Sequence, residues 1–242
     1  MKLLIVSDLH GNWPAMQEVL RAEPRVDGVV CLGDLVNYGP HPAECVRWAR
    51  SNVPAGWMVQ GNHDRALGCG EDPRCSEPYR RIAAAMQEYT AGRLDPEAKG
   101  YLARLPVRSS QGVDGGLFLC HAVPSDPLYG YLQPDTDPAR WETEIAVAGY
   151  PDFLFLGHTH TPFVRQFGET TVVNPGSVGQ PKHGDPRAAY AVWDDGKILL
   201  RRASYDFSAT NRDLRGCAAS AVTEALAAVL RTGGALPQVD VA

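Results

Sequence analysis

No stretch of this 242-residue chain reaches the roughly 20 consecutive apolar residues of a membrane span, so no membrane role is expected. A basic surplus is also missing: 23 Lys and Arg face 28 Asp and Glu, for a formal net charge of -5 and a pI near 5.8. That balance argues against a general nucleic-acid or anionic-membrane binder, although a local basic groove is not excluded by it. The opening apolar run from Met1 ends in Asp8 and is too short for the apolar core of an export signal, so it is expected to be a first strand. The six cysteines (31, 45, 69, 75, 120, 217) contain no CxxC pair. With no export signal, reduced thiols and a cytoplasmic location are the expectation. Cys69 and Cys75 share a Gly-, Pro- and Asp-rich loop, where only oxidising conditions would pair them. Internal repeats and low-complexity tracts are absent.

What is present is the composition of a globular protein, 44% hydrophobic and 21% charged. The length allows one domain with a substantial core. A single domain over 1–242 is expected, with a helical excursion at about 68–106 and a C-terminal helix at about 214–230. Continuous apolar runs at Lys2–Ser7 and Asp27–Leu32, and a shorter one at Trp57–Gln60, read as buried strands. Helices at Trp13–Arg21, with Asn12 as N-cap, and at Pro42–Arg50 separate them. This alternation predicts a parallel sheet with right-handed crossovers. Tyr79–Leu105 reads as helical, restarting at Asp95-Pro96-Glu97, and Val107–His121 as two short strands around a Gly112–Gly116 turn. Pro138–Ala148 is a further helix, capped by Thr136 or Asp137, and leads to a strand at Asp152–Leu156. Short β runs at Phe163–Phe167, Thr170–Val173, Ala188–Trp193 and Ile198–Ala203, with hairpin signals between them, predict an antiparallel sheet. An Ala-rich helix at Leu214–Leu230 and a loose tail close the chain. The expected fold is α/β, a four-layer α-β-β-α sandwich of two mixed sheets flanked by helices.

Five short stretches sit where these apolar runs end: Asp8-Leu9-His10, Gly33-Asp34, Gly61-Asn62-His63-Asp64, His121, and Gly157-His158-Thr159-His160. In parallel sheets, ligands gather beyond the carboxyl ends of the strands. Asp and His are the usual oxygen and nitrogen ligands of Mn, Fe or Zn, and a carboxylate can bridge two cations. The i, i+2 spacing in Asp8/His10 and His158/His160 lets both members approach one ion. A lone D-x-H is usually incidental, but five of the seven histidines lie in these strand-end motifs. The joint pattern points to a two-metal hydrolase of phosphate esters.

The order D-x-H, GD, GNHD, H, GHxH resembles the calcineurin-like metallophosphoesterase superfamily. Ser7-Asp8-Leu9-His10-Gly11-Asn12 and the Asn174–Pro181 loop resemble its small prokaryotic phosphodiesterase branch, over about residues 1 to 205. The resemblance implies that Asp8, His10, Asp34 and His160 bind one divalent metal. It implies that Asp34 bridges to a second, completed by Asn62, His121 and His158. His63 would face the substrate phosphate as the catalytic residue. Mn is the expected metal, with Fe or Zn as alternatives, and the expected chemistry is in-line attack of a metal-bound hydroxide on phosphorus. Asp64 is placed either to orient His63 or to pair with Arg65. Gly33-Asp34-Leu35-Val36-Asn37-Tyr38 lacks the Asp-Arg-Gly continuation of protein Ser/Thr phosphatases, which points away from a phosphoprotein substrate. Lys182-His183 stands where this branch would carry Arg-Asp.

Asn12, Tyr38, Lys182 and His183 are candidates to line a substrate pocket, and His41 reads as structural. The leading function is hydrolysis of small phosphodiesters. A nuclease or a phosphomonoesterase could use the same site, and a metal-free protein-interaction scaffold is the reading from another class. The expected partner is a small phosphate ester rather than nucleic acid, and the aliphatic face of the last helix could pack in the core or form a homo-oligomer contact.

Overall fold

The computed structural model describes residues 1–77, 79–112 and 116–236. Four strands, β1 (Lys2–Val6), β2 (Gly28–Cys31), β8 (Ala188–Asp194) and β9 (Lys197–Ala203), form one sheet in the order β2-β1-β8-β9. Five more, β3 (Arg108–Gln111), β4 (Leu117–Cys120), β5 (Phe153–Phe155), β6 (Phe163–Phe167) and β7 (Thr170–Asn174), form the other in the order β3-β4-β5-β7-β6. Alternating side chains explain how the sheets face one another. Leu3 and Ile5 of β1, Leu119 of β4, Phe155 of β5 and Val173 of β7 fill the layer between the sheets. Leu4 and Val6 turn the other way, against α1 (Trp13–Ala22) and α2 (Pro42–Asn52). Phe118, Leu154 and Val172 point outward from the second sheet onto α6 (Pro138–Val147), around the fully buried Trp141. This is the expected α-β-β-α sandwich of two mixed sheets.

Local details depart from the sequence reading at four places. The strand expected at Trp57–Gln60 shrinks to one bridge, Met58 opposite Cys31. Its ladder stops because the Gln60 N–H donates to the Pro106 carbonyl instead (2.8 Å). A helix not anticipated from the sequence, α3 (Asn62–Cys69), starts inside the Gly61-Asn62-His63-Asp64 motif. Asn, His and Asp are poor helix formers, and the helix is held by tertiary contacts with α5 (Pro96–Arg104), close enough that a Cβ on Gly68 would meet the Ala103 backbone. The two late hairpins form, but they do not make one antiparallel sheet: β7 runs parallel to β5, whereas β8 runs antiparallel to β1. The helix expected at Leu214–Leu230 is two, α7 (Phe207–Leu214) and α8 (Ser220–Thr232), parted at Gly216, whose φ is 91°.

The helical excursion resolves into α4 (Tyr79–Arg93) and α5. Ile82, Ala83 and Met86 of α4 pack with Leu226, Val229 and Leu230 of α8 in a separate apolar cluster that also takes in Tyr38 and Cys75. This cluster stands against the ends of the strands. The interior of the expected Gly112–Gly116 turn and the last part of the expected tail lie outside the described residues. Among those described, no helix is long and apolar enough to cross a membrane.

Candidate metal centre

The expected ligands arrive from both sheets. Asp8 and His10 follow β1, Asp34 lies beyond β2, His121 follows β4, and His158 and His160 follow β5. Asp8, His10 and His160 bring one ligand atom each within 4.8 Å of one another, and so do Asp34, His121 and His158. All six are buried. Five of them, Asp8, His10, Asp34, His158 and His160, hold positive φ between 43° and 64°, a region that costs free energy for non-glycine residues and persists only where surrounding contacts impose it. Two glycines allow the loops to close in. A Cβ on Gly61 would collide with the Asp34 carboxylate, and one on Gly157 with the Ser7 hydroxyl.

Backbone carbonyls determine which ring nitrogens are free. His10 Nδ1 lies 3.1 Å from the Val36 carbonyl, and His160 Nδ1 lies 2.5 Å from that of Gln180. A carbonyl only accepts, so each Nδ1 carries the hydrogen and each Nε2 presents a lone pair. Those two bare nitrogens face each other at 3.2 Å. Asp8 Oδ1, 3.2 Å from His160 Nε2, accepts no hydrogen bond among the described residues. The other oxygen of Asp8 takes the Ser7 hydroxyl (2.5 Å) and the His158 N–H (3.1 Å).

The second group repeats the logic. His121 Nδ1 donates to the Leu32 carbonyl at 2.7 Å, which leaves Nε2 facing inward. Around that nitrogen lie Asp34 Oδ2 (3.2 Å), Asn62 Oδ1 (3.1 Å) and His158 Nδ1 (3.2 Å). Asn62 turns its oxygen inward because its amide nitrogen donates to the Pro73 carbonyl (2.7 Å). Asp34 Oδ2 also lies 3.8 Å from His10 Nε2, so one carboxylate oxygen reaches both groups. Its Oδ1 is held by the His63 N–H (2.8 Å). Converging acceptors with no hydrogen between them repel unless a cation sits among them. This donor set, mixed imidazole nitrogen and carboxylate oxygen, fits divalent transition metals.

Electrostatics in the cation-free chain agree. Burial keeps His10, His158 and His160 neutral by pushing their pKa values down. Burial opposes protonation of His121 as well, and is its largest single influence, but the charge and hydrogen bond of Asp34, the charge of Asp8 and the Leu32 carbonyl together outweigh it and lift this imidazole to about 9. A proton there does part of a cation's work.

His63 sits beside the centre without joining it. Its Nδ1 accepts the Asn37 amide N–H at 2.9 Å. That amide is oriented by its neighbours, because Asn37 also donates to the Ala83 carbonyl (3.2 Å) and accepts the Tyr38 N–H (2.9 Å). The hydrogen of His63 is therefore on Nε2, which lies 3.5 Å from the Cys75 thiol. Burial lowers the His63 pKa to about 4, so near neutral pH it is an uncharged donor. Asn37 and Cys75 carried no motif that marks them as functional. Asp64 takes neither expected role: it accepts the backbone N–H groups of Asp34 (2.8 Å), Leu35 (2.9 Å) and Gly61 (3.1 Å). Arg65 pairs with Glu71 instead (2.7 Å). Asp64 thus ties the Gly33-Asp34 loop to the start of α3.

A cavity of about 250 Å³ opens onto the centre. Asp34, Asn62, His63, His158 and His160 form its floor, and Tyr38, Cys75, Tyr79, Tyr131 and Lys182 its walls. Two of the four candidate pocket residues, Tyr38 and Lys182, are here. Asn12 is spent elsewhere, capping α1 and donating to the Gly179 carbonyl (3.0 Å) and the Tyr205 hydroxyl (3.1 Å). His183 does not line this cavity. Tyr79 and Tyr131, absent from the sequence candidates, do; nothing in their local sequence separates them from core aromatics. Cys69 and Cys75 are both free thiols.

Known proteins share this arrangement of chain. The chain is 31% identical over 226 residues to an uncharacterized protein of Methanocaldococcus jannaschii, covering 84% of this chain and 88% of that protein. It is 31% identical over 201 residues to the phosphodiesterase YfcE of Escherichia coli, covering 81% and 88% respectively. The crystal structure of a metallophosphoesterase from Sphaerobacter thermophilus superposes with a TM-score of 0.80 at 32% identity, over 96% of this chain and 100% of that one. The model of the calcineurin-like phosphoesterase superfamily domain matches residues 1–195. With ligand motifs, two-sheet fold and relatives in agreement, the chain belongs to the calcineurin-like phosphoesterase superfamily.

Proposed function

We propose that this single-domain protein is a dinuclear metal-dependent phosphodiesterase that hydrolyses small phosphate diesters in the cytoplasm. One observation carries the reading: two groups of buried imidazole and carboxylate ligand atoms converge and share Asp34, with the Nε2–H of His63 beside them. Asp8, His10, Asp34 and His160 would hold one divalent cation, and Asp34, Asn62, His121 and His158 the other. When bound, such a pair supplies Lewis-acid activation of water and of phosphoryl oxygens.

The chain's own residues account for the rest of the chemistry. His63 offers a hydrogen-bond donor to the phosphoryl group, and Asn37 keeps that hydrogen on Nε2. The low pKa makes stabilisation of developing charge by hydrogen bonding its main role, rather than delivery of a proton from an imidazolium. The buried Tyr38 and Cys75 limit solvent access to the reacting atoms on their side of the cavity. The kinship with YfcE, itself a phosphodiesterase, supports the diester assignment. The six free thiols support residence in a reducing compartment.

The test is to strip the protein with a chelator, reload it with single metals, and assay a panel of mono- and diesters beside elemental analysis. Mn²⁺ is expected to restore activity better than Mg²⁺, because the site is rich in nitrogen and Mg²⁺ prefers oxygen ligands and its own waters. Activated small diesters should outpace long DNA or RNA, for which the acidic chain offers no long-range attraction. Full recovery in Mg²⁺ alone, or preferred turnover of a polynucleotide with a steep salt dependence, would count against this reading.

A further inference from the structure

Lys182 is the cation that lines the cavity over the metal centre. It follows Gln180, whose carbonyl backs His160, and Pro181, so its backbone is anchored to the centre. Its Nζ stands 4.2 Å from the ring centroid of Tyr79. No carboxylate among the described residues pairs with it, although the nearby Arg187 and Arg202 both do pair, with Asp185. An ammonium group drawn into a partly buried pocket without a carboxylate is costly unless an anion arrives to meet it. Burial lowers its pKa to about 8, so it is still mostly charged at neutral pH.

The surrounding walls are aromatic and fixed. Tyr79 is anchored by the Leu236 N–H, which donates to its hydroxyl at 3.1 Å. Tyr131 lies over His158 with ring centroids 4.1 Å apart and keeps 52% of its surface exposed. A flat exposed ring at the mouth of a cavity is a stacking surface for an aromatic group.

We propose that Lys182, Tyr79 and Tyr131 form a flanking subsite that selects phosphodiesters whose organic flank is aromatic and carries a second anionic group, as in a nucleotide bearing an additional phosphate. This rests on the phosphodiesterase reading for the reacting phosphate and adds the part of the substrate that does not react. The flank's negative group meets Lys182, and its ring lies against Tyr131.

The experiment uses metal-loaded full-length protein and three chromogenic probes: the 4-nitrophenyl ester of thymidine 5′-phosphate, the same compound with a 3′-phosphate, and 4-nitrophenyl phosphate. The 3′-phosphorylated diester is expected to have a kcat/KM about tenfold or more above its parent, as one charge-assisted contact allows. In Lys182→Gln that advantage should vanish through KM, leaving the two diesters with equal kcat/KM; Lys182→Arg should retain most of it. Calorimetry with thymidine 3′,5′-bisphosphate and thymidine 5′-monophosphate gives the same ratio without turnover. Equal affinities in the wild type, or a ratio untouched by Lys182→Gln, overturn the subsite while leaving the phosphodiesterase reading in place. A Lys182 dependence confined to 4-nitrophenyl phosphate also overturns it, because the ammonium then reads the reacting phosphate. Loss of all turnover in the wild type defeats the phosphodiesterase reading, and the calorimetric ratio still decides the role of Lys182.

Discussion

Asp8, His10 and His160 on one side of the centre, and Asn62, His121 and His158 on the other, share Asp34 but are held differently. On the first side both imidazoles are backed by a main-chain carbonyl, and Asp8 is held by a hydroxyl and a backbone N–H. On the second side His121 and Asn62 have such a backing and His158 does not. His158 points inward through Nδ1, and its Nε2 has no partner beneath Tyr131. Asn62 is neutral and, with His158, opens onto the cavity. Backing partners orient a ligand and raise its basicity, and their loss typically costs about 10–100-fold in metal affinity. His160 of the first side lines the same cavity, so the difference between the two sides lies in how their ligands are backed.

The largest expected effect comes from removing what the two sides share. Asp34→Ala should lose both equivalents of metal and several orders of magnitude of activity; retention of either equivalent by elemental analysis would break the shared-ligand picture. His63→Ala should keep both metals and lose about 10²–10⁴-fold in kcat, as expected for a hydrogen-bond donor to the phosphoryl group that belongs to neither ligand group. Unchanged turnover would remove His63 from the mechanism.

The asymmetry itself is sharpened by graded chelation. One equivalent should leave at about 10–100-fold lower chelator than the other, and His158→Ala should abolish the easily removed step while His160→Ala abolishes the resistant one. A single concerted loss would say the two sides are equally held. A smaller effect is expected for Asn37→Ala, about tenfold in kcat with metal content unchanged. Nitrogen NMR of the His63 ring should show the Nε2–H form in the wild type and a mixture in the variant.

The smallest effect is a pH dependence of the cation-free protein. His10, His63, His158 and His160 have folded pKa values below the ordinary 6.5. The unfolded chain therefore binds more protons below pH 6.5, and stability is lost as pH falls from there towards 4. His121, raised to about 9, works in the opposite sense: its stabilisation is complete below 6.5 and lost as pH rises through 9. His183 is lowered as well, while Asp64, which burial raises to about 7, works in the same sense as His121. Five groups outweigh two, so melting temperature should fall by on the order of 5 °C between pH 7 and pH 5. A rise over that interval would mean the histidines are not buried neutral.

Strand-end punctuation made much of this protein legible before any coordinates. A buried strand must be apolar on both faces and must stop where polar groups begin, so Asp8, Asp34, His121 and His158 announce themselves by interrupting apolar runs. The same local rules locate α1, α2, α6 and both late hairpins to within a few residues. They fail at Asn62–Cys69, because that helix is held by packing on α5 and by Asp64 rather than by its own propensities. They fail just after Met58, because the Pro106 carbonyl takes the Gln60 N–H that would have extended the strand.

From the sequence alone came the candidate ligand residues, assigned to metals through the family resemblance, and the α/β alternation, which short-range periodicity determines. Tertiary structure alone decided which ring nitrogen each histidine turns inward, that Asn37 rather than Asp64 meets His63, and that Lys182 shares a cavity with Tyr79 and Tyr131. Those outcomes depend on carbonyls and rings brought together across sheets and helices, and no spacing along the chain encodes the distance between them.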